Sequence, residues 1–367
     1  MTTSGFRNGN QKIAPYSLGY SLKCDDFIFG QAVTQVICQQ GLPTDDGHID
    51  LTPRDFARNY SSLSRYCNHP RYLEFYSIVY ASIVNMIIDF HTHIFPPSFE
   101  DRRADYLSRD ATLAALYSNS DLPMASAEDL VSAMDEAQIE KSVVMGLGWT
   151  DLEAAKASND YILNSAARYE GRLIPFCSVN PAWGEMALKE IENNVASGAR
   201  GVGELHPDTQ GFSFSDSAVM DPFMSLLRSY GVILLTHASE PVGHQYPGKG
   251  TITPSILMNL IDRYPEVNIV CSHWGGGLPI YRLMPEVDSA LSNVYFDSAA
   301  SPFLYRASIY SVMSKIARSG SILFGSDYPL LNPQRLIRHI RAADISDKEK
   351  SRILGENANN LLGLDTV

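Results

Sequence analysis

The sequence predicts an α/β fold, a (β/α)₈ TIM barrel over residues 86–367, preceded by an N-terminal extension over residues 1–85. Two observations point to it. From Met86 onward, short apolar runs alternate with longer amphipathic stretches, the pattern of parallel strands joined by crossover helices. Eight such units fit into the 282 residues from Met86 to Val367, against a typical barrel size of about 250. A doubly wound open sheet is the competing architecture, but no glycine-rich phosphate fingerprint follows the first strand.

The strands are expected at 87–91, 141–146, 173–179, 200–205, 232–237, 268–273, 294–298 and 322–327. Helices are expected at 127–137, 151–169, 185–196, 216–230, 253–263, 279–291, 304–318 and 333–342. Ser126, followed by Glu128 and Asp129, has the form of an N-cap with an acidic first turn, and Ser215–Asp216 repeats it. Gly198 and Gly231 punctuate helix ends before strands. Helices bury both faces of a parallel sheet, which accounts for apolar runs without alternation such as Ile87-Ile88-Asp89-Phe90.

The extension differs in composition. Its seven basic and seven acidic residues balance, and the other 22 basic and 34 acidic residues carry the whole net charge of -12. Segments 25–36 and 72–84 could be helical, separated by polar stretches. His48 and His69 are isolated, and no chemistry-bearing motif appears. Two readings stand: Met86 is the true start, or the extension packs on the barrel or mediates self-association.

With 45% hydrophobic and 19% charged residues the composition is that of a globular protein. The acidic balance, with a pI near 5.2, argues against nucleic acid or an anionic membrane as partner, because both require a basic surface. Five scattered cysteines form no CxxC pair, which favours reduced thiols and a cytoplasmic setting. Residues 1–11 lack the apolar core of a signal peptide. The window 72–90 carries Glu74, Asn85 and Asp89 and reads as a helix followed by a strand rather than a membrane span.

Chemistry concentrates at the expected strand ends, where barrel enzymes keep their active sites. His91 and His93, two residues apart, should leave the first strand on one side. The fourth strand ends in Glu204, the fifth in His237, the sixth in His273 and the eighth in Asp327. Histidines and carboxylates together suit a borderline divalent cation, with Zn²⁺ as first choice and Mn²⁺, Fe²⁺ or Co²⁺ as alternatives. Asp327 would take a proton from a metal-activated water, and His273 would either bind the metal or polarise the substrate.

The series HTH, GELHP, THASEPVGHQYPGKG, SHWGGGLP and LFGSDYPLL, with the tail Ile353-Leu354-Gly355-Glu356-Asn357-Ala358, resembles the amidohydrolase superfamily. It is most similar to the amidohydrolase-related branch of aminocarboxymuconate-semialdehyde decarboxylase, which also holds hydrolases, hydratases and lactonases. The resemblance implies metal ligation by His91, His93, His237 and Asp327. It places His273 at a position that is catalytic in some members. At strand four many binuclear members carry a carboxylated lysine, whereas Glu204 here resembles the TatD-like deoxyribonuclease pattern. Glu204 is therefore open as a bridge between two ions, an outer contact of one, or a substrate contact. One ion is the preferred count.

Substrate contacts are expected from the loops above the strands. Decarboxylases of the family hold a substrate carboxylate with an arginine after strand one, a role open to Arg102 or Arg103, with a solvated helix start as the alternative. Trp149 after strand two, His244 and Tyr246 after strand five, and Trp274 after His273 are the other candidates. His206 and Gln210 are weaker ones.

The leading reading is a metal-dependent hydrolase of a small amide, ester or lactone. The alternative is a metal-dependent non-oxidative decarboxylase of an aromatic or unsaturated carboxylic acid, using the same ligands. A barrel that binds metal without turnover is disfavoured by the complete set of acid, base and ligand types. A nuclease is disfavoured by the scarcity of basic residues for phosphate. The partner is a small molecule, and a homodimer is compatible with the family.

Overall fold

The computed structural model describes residues 86–318 and 320–364; the extension over residues 1–85, with both readings of it, lies outside them. Eight parallel strands follow one another around a barrel in sequence order. They are β1 Ile88–His93, β2 Lys141–Met145, β3 Leu173–Cys177, β4 Gly201–Leu205, β5 Ile233–Thr236, β6 Ile269–Cys271, β7 Val294–Asp297 and β8 Ile322–Leu323. The ring closes between β8 and β1. Phe90 N–H donates to Phe324 O at 2.7 Å, His93 N–H to Tyr328 O at 2.7 Å, and Asp327 N–H to His91 O at 2.9 Å.

All eight expected strands are present, and the reason is burial: every β1, β4, β5, β6 and β8 residue is buried. The barrel interior is filled by Ile88, Phe90, Val143, Met145, Ile174, Phe176, Ile233, Leu235, Val270 and Leu323. Branched and aromatic side chains of this kind plug a barrel rather than leave a pore. The C-terminal segment seals the base, with Ala358 and Leu362 joining that cluster. Gly355 lies so close to Met86 O that a Cβ has no room there, which gives the glycine of the tail motif a packing reason.

The interior pattern also shows what aims the site. Ile88 and Phe90 point into the barrel, so strict alternation would send Thr92 there and turn His91 and His93 outward. The β1–β2 register shifts between Asp89 and Thr92, and the β4–β5 register shifts between Val202 and Leu205. Such irregularities re-aim side chains at barrel rims. They bring His91, His93 and Glu204 to the mouth.

Six helices keep their expected bounds within a residue or so: Ala127–Ala137, Leu152–Arg168, Glu185–Ala196, Ser217–Tyr230, Pro254–Arg263 and Pro333–Ala342. Ser126 closes a capping box with Asp129, Asp216 caps its helix, and Gly231 ends it at φ 63. Two expected helices are broken. The stretch 279–291 divides into a 3₁₀ turn, Leu278–Leu283, and a helix, Pro285–Ala290, because Met284 before the proline is extended. The stretch 304–318 becomes Ser301–Leu304 and Ile309–Ile316, separated by an extended Tyr305. Three short helices, Pro97–Asp101, Arg103–Arg109 and Ala111–Tyr117, follow β1 and were not expected. None of the helices among the described residues is long and apolar enough to cross a membrane.

Candidate metal centre

The six donors selected at the strand ends meet at one mouth of the barrel. His91, His93 and Asp327 form one set of converging donor atoms, and Glu204, His237 and His273 form another, with the atoms of each set within 4.8 Å of one another. Glu204 links its own set to the other. Its Oε2 is 3.7 Å from His91 Nε2 and 3.9 Å from His93 Nε2, while its Oε1 is 3.2 Å from His237 Nδ1 and 3.6 Å from His273 Nε2. Asp327 Oδ1 stands 3.7 Å from His91 Nε2 and 3.5 Å from His93 Nε2.

The donor chemistry fits a divalent cation. His91 Nδ1 faces Asp297 Oδ2 at 2.9 Å and His93 Nδ1 faces Gly146 O at 3.1 Å. Both partners only accept, so each Nδ1 carries the hydrogen. In the neutral rings both Nε2 atoms then present lone pairs, and they face each other at 3.1 Å beside two carboxylates. Such a convergence of lone pairs and negative charge calls for a cation or protons at its centre. His273 Nδ1 is likewise bound to a carbonyl, Ala299 O at 3.1 Å, which leaves its Nε2 toward the site.

The electrostatics agree. Burial opposes charge on His91, yet the carboxylates of Asp297 and Glu204 outweigh it and hold its pKa up at about 10. At His273 burial is again overcome, by the hydrogen bond with Glu204 and the charge of Asp327, to about 9. His237 moves the other way, to about 4, through burial and the neighbouring His206. Burial also works against the charge of Glu204, but His206 and His91 keep it well below the usual carboxylate range. Asp327 is drawn down to about 2, against burial, by its hydrogen bond with His93 and by His91.

A cavity of about 480 Å³ opens above the donors. Leu116, Tyr117, Leu122, Leu147, Phe303 and Leu330 give it apolar and aromatic walls, and His244 and Tyr246 reach it from the loop after β5. Tyr246 O–H donates to Glu240 Oε2 at 2.9 Å, and Lys249 Nζ donates to the carbonyls of Val242 and His244. These bonds run within the loop and brace its own conformation beside the cavity.

Four of the expected substrate residues are elsewhere. Arg102 is 60% exposed and pairs with Asp105. Arg103 braces the chain beneath the cavity wall, donating to the carbonyls of Tyr117, Asn119, Ser120 and Leu122 and to Glu100. No arginine or lysine is among the described residues that line the cavity. The helices that follow β1 carry both arginines away from the mouth. Trp149 is fully buried edge-on to Phe95 and Phe99. Trp274 is also fully buried, its Nε1–H donating to Ser301 Oγ at 2.7 Å. His273 and Trp274 both adopt left-handed backbone, φ 54 and φ 60, and this turn leaves His273 at the cavity and sends the indole against Tyr310.

Asp297 was missed, although it ends β7 just as the selected residues end their strands. His206, a minor candidate in the sequence, lines the cavity, stacks on His237 and meets Glu204 Oε2 at 3.0 Å.

Fold and site together define a (β/α)₈ barrel with a divalent-metal donor cluster at the C-terminal ends of its strands. The family model described as Amidohydrolase matches residues 88–364, and the chain belongs to that family. Over 258 residues it is 23% identical to a gamma-resorcylate decarboxylase of Polaromonas sp., covering 58% of this chain and 77% of that one. Among solved structures, the 5-carboxyvanillate decarboxylase of Sphingomonas paucimobilis superposes with a TM-score of 0.63 at 15% identity, covering 76% of this chain and 99% of the other. A dihydroxybenzoic acid decarboxylase of Polaromonas sp., solved with manganese and 2-nitroresorcinol, gives 0.59 at 18% identity, covering 76% and 97%.

Proposed function

We propose that this protein is a metal-dependent, non-oxidative carboxy-lyase acting on a small aromatic carboxylic acid, in place of the amide, ester or lactone hydrolase that the sequence reading put first. The observation that carries the proposal is the cavity: apolar and aromatic walls over a floor of converging metal donors, with no arginine or lysine among the described residues that line it. A flat ring suits such walls, and its carboxylate would have only the floor to bind. Similarity to decarboxylases of gamma-resorcylate, 5-carboxyvanillate and dihydroxybenzoic acid supports the same reading.

His91, His93, His237 and Asp327 would hold the metal, with Glu204 beside it. When bound, the metal supplies the positive charge that grips the substrate's carboxylate. Mn²⁺, present in the Polaromonas relative, joins Zn²⁺ as the ion of choice. Asp297 and the Gly146 carbonyl hold His91 and His93 in the tautomer that points Nε2 inward. His273, with Nδ1 anchored and Nε2 at the cavity, is the proton donor. Its proton goes to the ring carbon that bears the carboxylate. The bond from that carbon to the carboxylate carbon then breaks, its electron pair restores the aromatic ring, and CO₂ leaves. Tyr117 and Phe303 hold the ring and exclude water.

The test is to load the protein with Mn²⁺ or Zn²⁺ and offer it hydroxybenzoic acids, esters and lactones in parallel. One CO₂ per acid consumed, with the decarboxylated arene as product, is the expected result. Ester or lactone cleavage with no CO₂ from any acid would return the assignment to a hydrolase.

A further inference from the structure

We infer that His206 is a specificity-determining residue whose free ring nitrogen accepts a hydrogen bond from a donor on the substrate, a phenolic hydroxyl on an aromatic acid. The proposed carboxy-lyase function supplies the identity of that acid; the recognition itself rests on the cavity.

His206 follows the last residue of β4, is only 6% exposed and lines the cavity. Three contacts set its ring. Nε2 lies 3.0 Å from Glu204 Oε2, the ring stacks on His237 at 4.3 Å and 21°, and its backbone N–H donates to Gln210 Oε1 at 2.8 Å. Gln210 is itself fixed, donating to the Trp149 and Val179 carbonyls. Across from it, a Cβ on Gly148 would come within 2.8 Å of His206 N and 2.9 Å of its Cβ, so the two loops are packed against each other and the residue has little freedom to shift.

A ring held this firmly still has one open position. A carboxylate only accepts, so Nε2 carries the hydrogen shared with Glu204, and in the neutral ring Nδ1 is an acceptor. Nδ1 has no protein partner among the described residues. His206 also belongs to neither set of converging metal donors, because its Nε2 is turned to Glu204. An acceptor without a protein partner, on a residue that lines the cavity, is satisfied when a ligand brings a donor to it. That favours a hydroxyl over an ether or a bare ring edge, because neither of those can donate.

The experiment measures competitive dissociation constants of the three hydroxybenzoates, the matching methoxybenzoates and benzoate for the metal-loaded wild type and for His206→Phe, with metal content determined for both. Phenylalanine keeps a ring stacked on His237 and removes both nitrogens. In the wild type at least one hydroxybenzoate should bind about ten-fold more tightly than its methoxy counterpart and than benzoate. His206→Phe should erase that preference while benzoate affinity stays within about two-fold. A preference retained by the variant, or an equal weakening of all the acids, would overturn the inference. Should the variant lose its metal, phenol and toluene, which need no cation, are compared on chelator-treated wild type and variant. Preference for phenol in the wild type alone supports the role, and equal behaviour of the two proteins overturns it. A hydroxyl preference that depends on His206, with no CO₂ from any acid, would remove the carboxy-lyase reading and leave His206 as the recognition residue.

Discussion

His91 Nδ1 lies 2.9 Å from Asp297 Oδ2, with both side chains fully buried. The other oxygen of Asp297 accepts from the backbone N–H groups of His273 and Ala299, each at 3.0 Å. One carboxylate thus ties β1 and the turn after β6 to the end of β7, and fixes the tautomer of a metal-ligand candidate. Asp297→Asn replaces the acceptor facing His91 with an NH₂ group, and metal affinity should fall about 10- to 100-fold, as read by chelator competition. Asp297→Ala leaves two buried N–H groups unpartnered at about 1–3 kcal/mol each, so its thermal midpoint should drop well below that of Asp297→Asn.

Metal binding should release protons. In the metal-free cluster His91 keeps its proton to about pH 10 and His273 to about pH 9, whereas His237 is already neutral above about pH 4. A cation that binds His91 at neutral pH must displace that proton, so affinity rises with pH until the raised pKa values are passed. Calorimetric titration in two buffers of different ionisation enthalpy should find about one proton released at pH 7.5, and about two if His273 also ligates. The same raised pKa makes the metal-free fold depend on pH. The stabilisation from charged His91 is full below its ordinary value of 6.5 and fades as pH approaches about 10. A metal-free protein whose thermal midpoint stays flat over that window would contradict this.

Asp327 holds left-handed backbone at φ 66 while its N–H donates to His91 O. Asparagine tolerates that conformation better than most residues. Asp327→Asn should therefore keep the fold and thermal midpoint near those of the wild type, bind metal more weakly, and lose turnover by about 100- to 10,000-fold. Circular dichroism, metal analysis and product formation on one preparation separate the three effects.

The two arginines after β1 should part company. Arg102→Ala removes an exposed pair with Asp105, a change that surface pairs rarely register. Arg103→Ala strips several carbonyls around 117–122 of their donor and should lower the unfolding free energy by about 1–3 kcal/mol. Neither should selectively weaken binding of a carboxylate ligand, since neither lines the cavity. A large loss of carboxylate affinity in Arg102→Ala would restore the arginine-clamp reading.

Much of this molecule was written in local pattern. The eight strands were legible because a strand covered on both faces must be apolar throughout, and most helices because their caps and acidic first turns are local chemistry. The donors His91, His93, Glu204, His237, His273 and Asp327 were legible for a similar reason, since strand ends in such a barrel open at one mouth. The breaks at Met284 and Tyr305 were less so; only the first has a local signal, the proline that follows it.

Where a side chain points at that mouth is another matter. Two register shifts turn His91, His93 and Glu204 inward against the alternation of their own strands. The left-handed turn at His273 and Trp274 buries an indole that stands beside a site residue in the chain. Asp297, His206 and the wall built by Leu116 and Tyr117 acquire their roles only from neighbours far away in sequence. The sequence by itself determined which elements form and which donor types end them. Only the tertiary structure decided which of those side chains meet, because a one-residue shift in strand register exchanges the two faces without altering a letter of the chain.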